Sequence, residues 1–212
     1  MMTLTSKRQR LARGHGDQLR EEIITATAAL LVDARSADEV SIRAIADRVG
    51  VTPPAIYRHF PDKDALLFHT CLTKWSKFAE SVSPVFAQPG SALDKLQALG
   101  IEYVRFAVNN PNDYAIMLKD WAKQLPPGVN KDELPGMDVL HFGTQLIAQG
   151  VADGEIRDVD PFNTMVCLWA MVHGIATLAR DHSDEVPPLQ DAMVLAQQAT
   201  EMLTRSLRVD PR

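Results

Sequence analysis

Helical spacing of apolar residues, broken at intervals by proline and glycine, is what most limits the folds open to this 212-residue chain. No segment sustains the apolar/polar alternation of a half-buried strand, whereas spacings of three and four recur from end to end. Leu19, Ile23, Thr27, Leu30 and Leu31 fall on one face of a helix over about 17–34. Ser41 is placed to cap a short helix that turns Ile42, Ile45, Ala46 and Val49 inward, and Gly50 to end it. Thr52 is placed to cap the next, with Pro53 at the first position, where a missing N–H costs nothing. Pro61 breaks that helix, and Asp62 caps a longer one to about Val82, followed by a loop over 83–90. Ser91 and Asp94 resemble a capping box for a helix to about Val108. Pro111 opens another helix ending before Pro126, and three more are predicted over 137–152, 160–181 and 188–207. The chain is therefore expected to be all-α, with about nine helices and no strand.

Other classes fall away quickly. At 46% hydrophobic and 23% charged residues, the chain has the material for a packed core and lacks the imbalance of a disordered one. The longest nearly apolar run, 165–179, contains His173, Gly174 and Thr177 and is expected to fall short of a membrane span. No apolar stretch follows the N-terminal charges, so no signal peptide is expected and the chain reads as cytoplasmic. Cys71 and Cys167 lie in apolar-periodic stretches without Cys-x-x-Cys spacing, the pattern of reduced core thiols. Gly14-His15-Gly16 is an isolated Gly-x-Gly outside any strand–helix context, and no His-Glu-x-x-His pair occurs. No enzyme activity, cofactor or metal is expected.

Chemistry concentrates between Ser41 and Lys63. Two short helices joined by Val49-Gly50-Val51 have helix-turn-helix spacing. Ala46 is small enough for a close crossing, while Val51 and Ile56 can lock the second helix to a core. The faces left over carry Arg43, Thr52, Pro53, Pro54, Ala55, Tyr57, Arg58 and His59. Short side chains let a helix sink into the major groove, where Pro53, Pro54 and Ala55 would meet thymine methyls and Arg43 a guanine. Tyr57, His59 and Lys63 stand where donors clamp phosphates.

The runs Ser41-Ile42-Arg43-Ala44-Ile45-Ala46 and Val49-Gly50-Val51-Thr52-Pro53-Pro54-Ala55-Ile56-Tyr57-Arg58-His59-Phe60-Pro61-Asp62-Lys63 resemble the TetR family of bacterial transcriptional regulators. Serine stands at position 41, where the family often has threonine, and keeps the capping role. The resemblance implies phosphate contacts for Tyr57, His59 and Lys63 and base-edge positions for Arg43, Pro53 and Pro54. More narrowly, Asp153-Gly154-Glu155-Ile156, Asp160-Pro161 and Trp169-x-x-x-His173-Gly174 are similar to a Trp-x-x-x-His-Gly type of TetR C-terminal domain, which implies effector binding and subunit pairing. The expected organisation is a flexible basic arm (1–16), a DNA-binding domain (17–72) and a ligand-binding and dimerisation domain (73–212).

In the last of these, Trp75, Phe78, Tyr103, Phe106, Met117, Trp121, Phe142, Met165, Trp169 and His173 are the candidate pocket residues, and simple core packing would account for most of them. His173 has no second His or Cys at helical spacing, so a satisfied core or interface histidine is favoured over a metal ligand. Gly174 costs roughly 1 kcal/mol in mid-helix, and a close helix approach is expected to compensate. Leu189, Ala192, Met193, Ala196, Ala199, Met202 or Leu203, and Leu207 make one stripe, and Phe162, Met165, Val166, Trp169, Val172 and Ala176 another. Together they predict half of a four-helix bundle between two subunits, unless each merely covers its own core. The combined expectation is a homodimeric repressor on a palindromic double-stranded DNA operator. Release would come from an apolar or amphipathic small molecule, with no membrane partner. The alternative is a helical ligand-binding or scaffold protein with a vestigial helix-turn-helix.

Averaged over the chain, the net charge of −5 argues against DNA, but it is unevenly spread. Residues 1–60 hold 9 Lys/Arg against 7 Asp/Glu, and residues 61–212 hold 13 against 20. The arm alone supplies Lys7, Arg8, Arg10 and Arg13 with no acid, fitting either a solvated tail or a groove contact.

Overall fold

A computed structural model describes residues 15–34, 36–118, 129–130, 134–181 and 191–209. The cations of the arm, Trp121 and Leu189 lie outside them. The described residues form nine α-helices, one short 3-10 turn and no strand. They divide into two compact units, one drawn from 1–73 and 115–129 and the other from 74–114 and 130–212.

The first unit holds α1 (His15–Asp33), the 3-10 turn Ala37–Glu39, α2 (Ile42–Val49), α3 (Pro53–Tyr57), the start of α4 (Lys63–Ala87) and the end of α6 (Pro111–Leu118). The helical stripes read in the sequence converge here. Ile23, Leu31, Ile45, Ile56, Phe60 and Leu66 are fully buried in one core.

The second unit is built on α5 (Ala92–Asn109), which packs against α7 (Pro135–Ala152), α8 (Pro161–Asp181) and α9 (Ala192–Leu207). A Cβ on Gly100 of α5 would stand 2.5 Å from Thr200 Cγ2 and 3.2 Å from Val172 Cγ1. Glycine is therefore what lets α5 approach α8 and α9 so closely. A single antiparallel bridge between Ile156 and Arg208 ties the α7–α8 loop to the end of α9, through Arg157 N–H to the Leu207 carbonyl at 2.9 Å.

Most expected caps form. Ser41 Oγ accepts from Ala44 N–H (3.1 Å), Asp62 Oδ1 from Ala65 N–H (2.7 Å) and Asp160 Oδ1 from Asn163 N–H (2.7 Å). Both halves of the Ser91–Asp94 capping box are present. Thr52 differs, since its side chain makes no cap hydrogen bond. The expected loop over 83–90 also gives way. α4 continues to Ala87 through Pro84, because Val82 and Val85 are buried and reward continuation. Proline at 84 cannot serve the Glu80 carbonyl, and Ser83 Oγ donates to it instead at 3.1 Å.

Three further expectations are corrected. Cys71 is buried but Cys167 is exposed, because it lies on the outer face of α8. A Cβ on Gly174 would meet nothing within 4 Å among the described residues, so none of the described helices supplies the expected close approach. Residues Pro161–Arg180 are, by length and composition, apolar enough to cross a membrane despite His173, Gly174 and Thr177. Packing of α8 against α5, α7 and α9 gives that hydrocarbon another use.

Candidate functional site

The first site begins at Gly50, whose φ of 78° is left-handed and open to glycine at little cost. The chain turns there, and the N–H groups of Gly50 and Val51 both reach the Ala46 carbonyl, at 2.9 and 3.0 Å. α2 and α3 are then pinned by Ile45, Ala46 and Ile56, all without exposed surface. Phe60 anchors the far end, with the Arg20 guanidinium 5.0 Å above its ring and His69 5.7 Å away. Burial, and then the Arg20 charge, lowers the His69 pKa below the usual imidazole value.

With the inner face fixed, the outer face follows. Arg43, Thr52, Pro53, Pro54, Tyr57 and Arg58 are exposed, and His59 and Lys63 are half-buried. Tyr57 keeps 51% of its surface, a large amount for an aromatic residue with a core beside it. Ala55, at 5%, turns inward, so its methyl belongs to the core and leaves the outer set. Pro53 and Pro54 carry no N–H, so the start of α3 offers hydrocarbon while hydroxyl, imidazole and cationic groups gather at its end.

The second site lies in the other unit. Trp75 meets Phe78 edge-on at 5.9 Å, and Phe78 meets Tyr103 and Phe106, each at 5.3 Å. Tyr103 leads to a polar cluster. Its hydroxyl is 3.0 Å from His173 Nδ1 and 3.3 Å from the Tyr114 hydroxyl, and it accepts from Trp169 Nε1 at 3.3 Å. The Tyr114 hydroxyl is itself 3.1 Å from His173 Nδ1. Burial, with Tyr114 alongside, pushes the Tyr103 pKa far above its ordinary value, so the phenol stays neutral. Burial, and then the Arg180 charge, lowers that of His173. Tyr114 is held by its helix. Asp113 bridges Lys74 at 3.1 Å and Lys77 at 2.7 Å, and although burial works to raise its pKa, hydrogen bonds from Lys77 and Lys74 outweigh it and hold it low.

Six of the ten pocket candidates thus join: Trp75, Phe78, Tyr103, Phe106, Trp169 and His173. Phe142 is elsewhere and exposed, stacked on Phe86 at 5.0 Å, and Met165 is buried with its sulfur beside Gly143. Met117 is buried in the stretch that belongs to the first unit.

Residues 23–70 match the family model for bacterial regulatory proteins of the tetR family. Residues 96–208, more than half of the chain, match that for the tetracyclin repressor-like C-terminal domain. The chain belongs to the TetR family. Nucleoid occlusion factor SlmA of Vibrio vulnificus (strain YJ016) is 30% identical over 99 residues, covering 46% of this chain and 50% of SlmA. The chain spans about half the length of such curated relatives. A TetR/AcrR-family transcriptional regulator from Thermobifida fusca YX-ER1 is 27% identical, with a TM-score of 0.64 over 91% of this chain and 100% of that one. AibR, solved with isovaleryl coenzyme A and operator DNA, shares the fold at 18% identity, with a TM-score of 0.63 over 90% and 98% of the two chains.

The pairing candidates of this TetR-family chain divide by face. Ala196 is fully buried within its own subunit, as are Met165, Val172, Ala176 and Leu207 apart from a few per cent. Phe162 faces outward, and Val166, Met193 and Leu203 are half-buried. The larger outward apolar residues are Trp169 and Leu178 on α8, and Val194 and Met202 on α9, with Met202 72% exposed. Sequence reasoning named Trp169 and Met202 but missed Leu178 and Val194. It also missed Tyr114, which lies 59 residues from His173 with nothing local to mark their meeting.

Proposed function

We propose that this TetR-family protein is a cytoplasmic, homodimeric transcriptional repressor that binds a palindromic operator and is released by a small amphipathic effector. The observation that carries the reading is the division of the α2–α3 head. Its inner residues are consumed by the core, while Arg43, Thr52, Pro53, Pro54, Tyr57, Arg58, His59 and Lys63 remain on its outer side. Such a surface suits the major groove: hydrocarbon enters first, Arg43 reads a guanine edge, and Tyr57, His59 and Lys63 hold phosphates. AibR's own complex places operator DNA and an acyl-coenzyme A on the same fold.

Pairing is supported by outward apolar residues on α8 and α9 and by Gly174, whose open side leaves room for a second subunit's helix. Trp169, His173 and Gly174 further support a C-terminal domain of the Trp-x-x-x-His-Gly type. The effector would occupy the second unit at the Tyr103–Tyr114–His173 cluster. α4 supplies Lys63 to the first unit and Trp75 and Phe78 to the second, so it is the element through which an effector changes the spacing of two recognition helices.

The test is selection of bound duplexes from a random pool, followed by binding at several salt concentrations. An inverted repeat is the expected product. Lys63→Ala should weaken every site alike and reduce the salt slope by roughly 0.9, the value for one released counterion. Arg43→Ala should relax preference at one position per half-site, at a cost of about 1–3 kcal/mol. A pool that yields no enriched sequence would sink the regulator reading, and a uniform loss in Arg43→Ala would remove its base-reading role.

A further inference from the structure

The first unit holds a cation that lies outside the helix-turn-helix in sequence but beside it in space. Arg20 belongs to α1, and its guanidinium carbon stands 5.0 Å from the centre of the Phe60 ring. Phe60 directly follows His59 at the end of the recognition helix and is only 1% exposed. His69 of α4 packs against the same ring, with centroids 5.7 Å apart, and feels the Arg20 charge in its lowered pKa. One guanidinium therefore marks the place where α1, the end of α3 and α4 come together.

Stacking on an aromatic face holds a guanidinium without consuming its N–H groups, which point outward in the plane of the group. Among the described residues the ionic partner of Arg20 is Glu21, with Nη1 and Oε1 3.6 Å apart, longer than a hydrogen bond. The two side chains keep 34% and 65% of their surface, so water screens the pair and it contributes little. Glu22, the next acid, accepts from Gln18 at 3.1 Å. Arg20 is thus fixed in place, partly exposed, and has donors to spare. Phe60 has already ordered the side chain, which lowers the entropy cost of receiving an oxyanion from outside the protein.

We propose that Arg20 is a further DNA-binding residue, a clamp on a backbone phosphate contributed by α1 beside the end of α3. This role rests on the α2–α3 head binding duplex DNA. Tyr57, His59 and Lys63, the groups proposed to hold phosphates, lie within three residues of Phe60 in the chain, so the ring that seats Arg20 belongs to the same end of the head. A phosphate reaching Arg20 replaces a long, solvated pair with charge-assisted hydrogen bonds that match the guanidinium fork. Arg20 reads no base, because its stem is committed to the Phe60 ring. Phe60 acts by positioning: buried itself, it sets where the guanidinium stands.

The full chain and its Arg20 variants are titrated onto the operator selected from the random pool, at several salt concentrations. Arg20→Met keeps an unbranched stem over Phe60 and Arg20→Gln a planar end group, while both lose the charge. Each should fold with unchanged helical circular dichroism, weaken operator and scrambled duplex by the same factor, and lower the salt slope by roughly 0.9 per bound subunit. Arg20→Lys should keep the slope and bind less tightly, since a point charge replaces the fork. Replacing phosphates singly by uncharged methylphosphonates should reveal a position in each half-site that weakens the unaltered protein and leaves Arg20→Met unaffected. An unchanged slope in folded Arg20→Met and Arg20→Gln, a loss confined to one base pair, or no methylphosphonate that separates the two proteins overturns the clamp and leaves Arg20 as a cover for Phe60. A pool that yields no operator removes the regulator reading and the clamp with it, whereas an operator bound with equal slopes removes the clamp alone.

Discussion

At the residue scale the least anticipated participant is Glu155. Its carboxylate accepts from Ala92 N–H at 2.9 Å and Leu93 N–H at 3.0 Å, at the start of α5. Ser91 and Asp94 satisfy each other's amides in the capping box, so the donors opening this helix are fully served. Ser91–Asp94 is legible in the sequence because both partners sit three residues apart. Glu155 is not, because its partners lie 62 and 63 residues away, although its segment is recognisable as family-like. Tyr114 escapes sequence reading for the same reason, since it acts through a distant imidazole. Glu155→Ala leaves two amides unserved and removes a negative charge from a helix N-terminus, and should cost about 1–2 kcal/mol. Glu155→Gln, with one acceptor oxygen and no charge, should fall between. Urea unfolding reads this as a lower midpoint at unchanged slope, and an unshifted midpoint in Glu155→Ala would show that water caps α5 equally well.

At the scale of elements, the sequence specifies where helices start better than where they stop. Capping side chains and first-turn prolines fix the starts of α2, α4, α5 and α8 within the chain itself. The end of α4 was hidden because Pro84 and Gly90 suggest a loop, while burial of Val82 and Val85 is a tertiary fact. α2 and α3 show how similar signals diverge. Ser41 and Thr52 both stand at cap positions, yet only Ser41 accepts a backbone hydrogen bond. Pro53 and Pro54 leave the start of α3 with fewer amides to serve, so the Thr52 hydroxyl is spare for another purpose. Ser41→Ala should therefore destabilise the protein by about 1 kcal/mol, and Thr52→Ala by less than about 0.5 kcal/mol. Equal losses in chemical unfolding would place Thr52 back in the structure of α3 and remove the argument that it is available to DNA.

At the scale of the whole molecule, the acidity of residues 61–212 and the mild basicity of residues 1–60 would confine the proposed DNA binding to one part of the chain. Reading a palindrome, as proposed, needs two such heads, so the proposed function would depend on pairing. Trp169, Leu178, Val194 and Met202 face water in one subunit, on helices whose other faces already fill its core. A charge placed at 178 or 202 is therefore nearly neutral for a lone subunit, within about 0.5 kcal/mol. It would be costly wherever a partner excludes water from the same positions. The two locations separate folding from assembly. The unaltered protein should sediment as a dimer at micromolar concentration, and Leu178→Glu combined with Met202→Glu as a folded monomer with the same helical circular dichroism. That monomer should bind a single half-site with little change but a full inverted repeat far more weakly, since the second head no longer arrives with the first. A double variant that remains dimeric would move the pairing surface off α8 and α9, and a monomeric unaltered protein would remove the palindrome from the proposal.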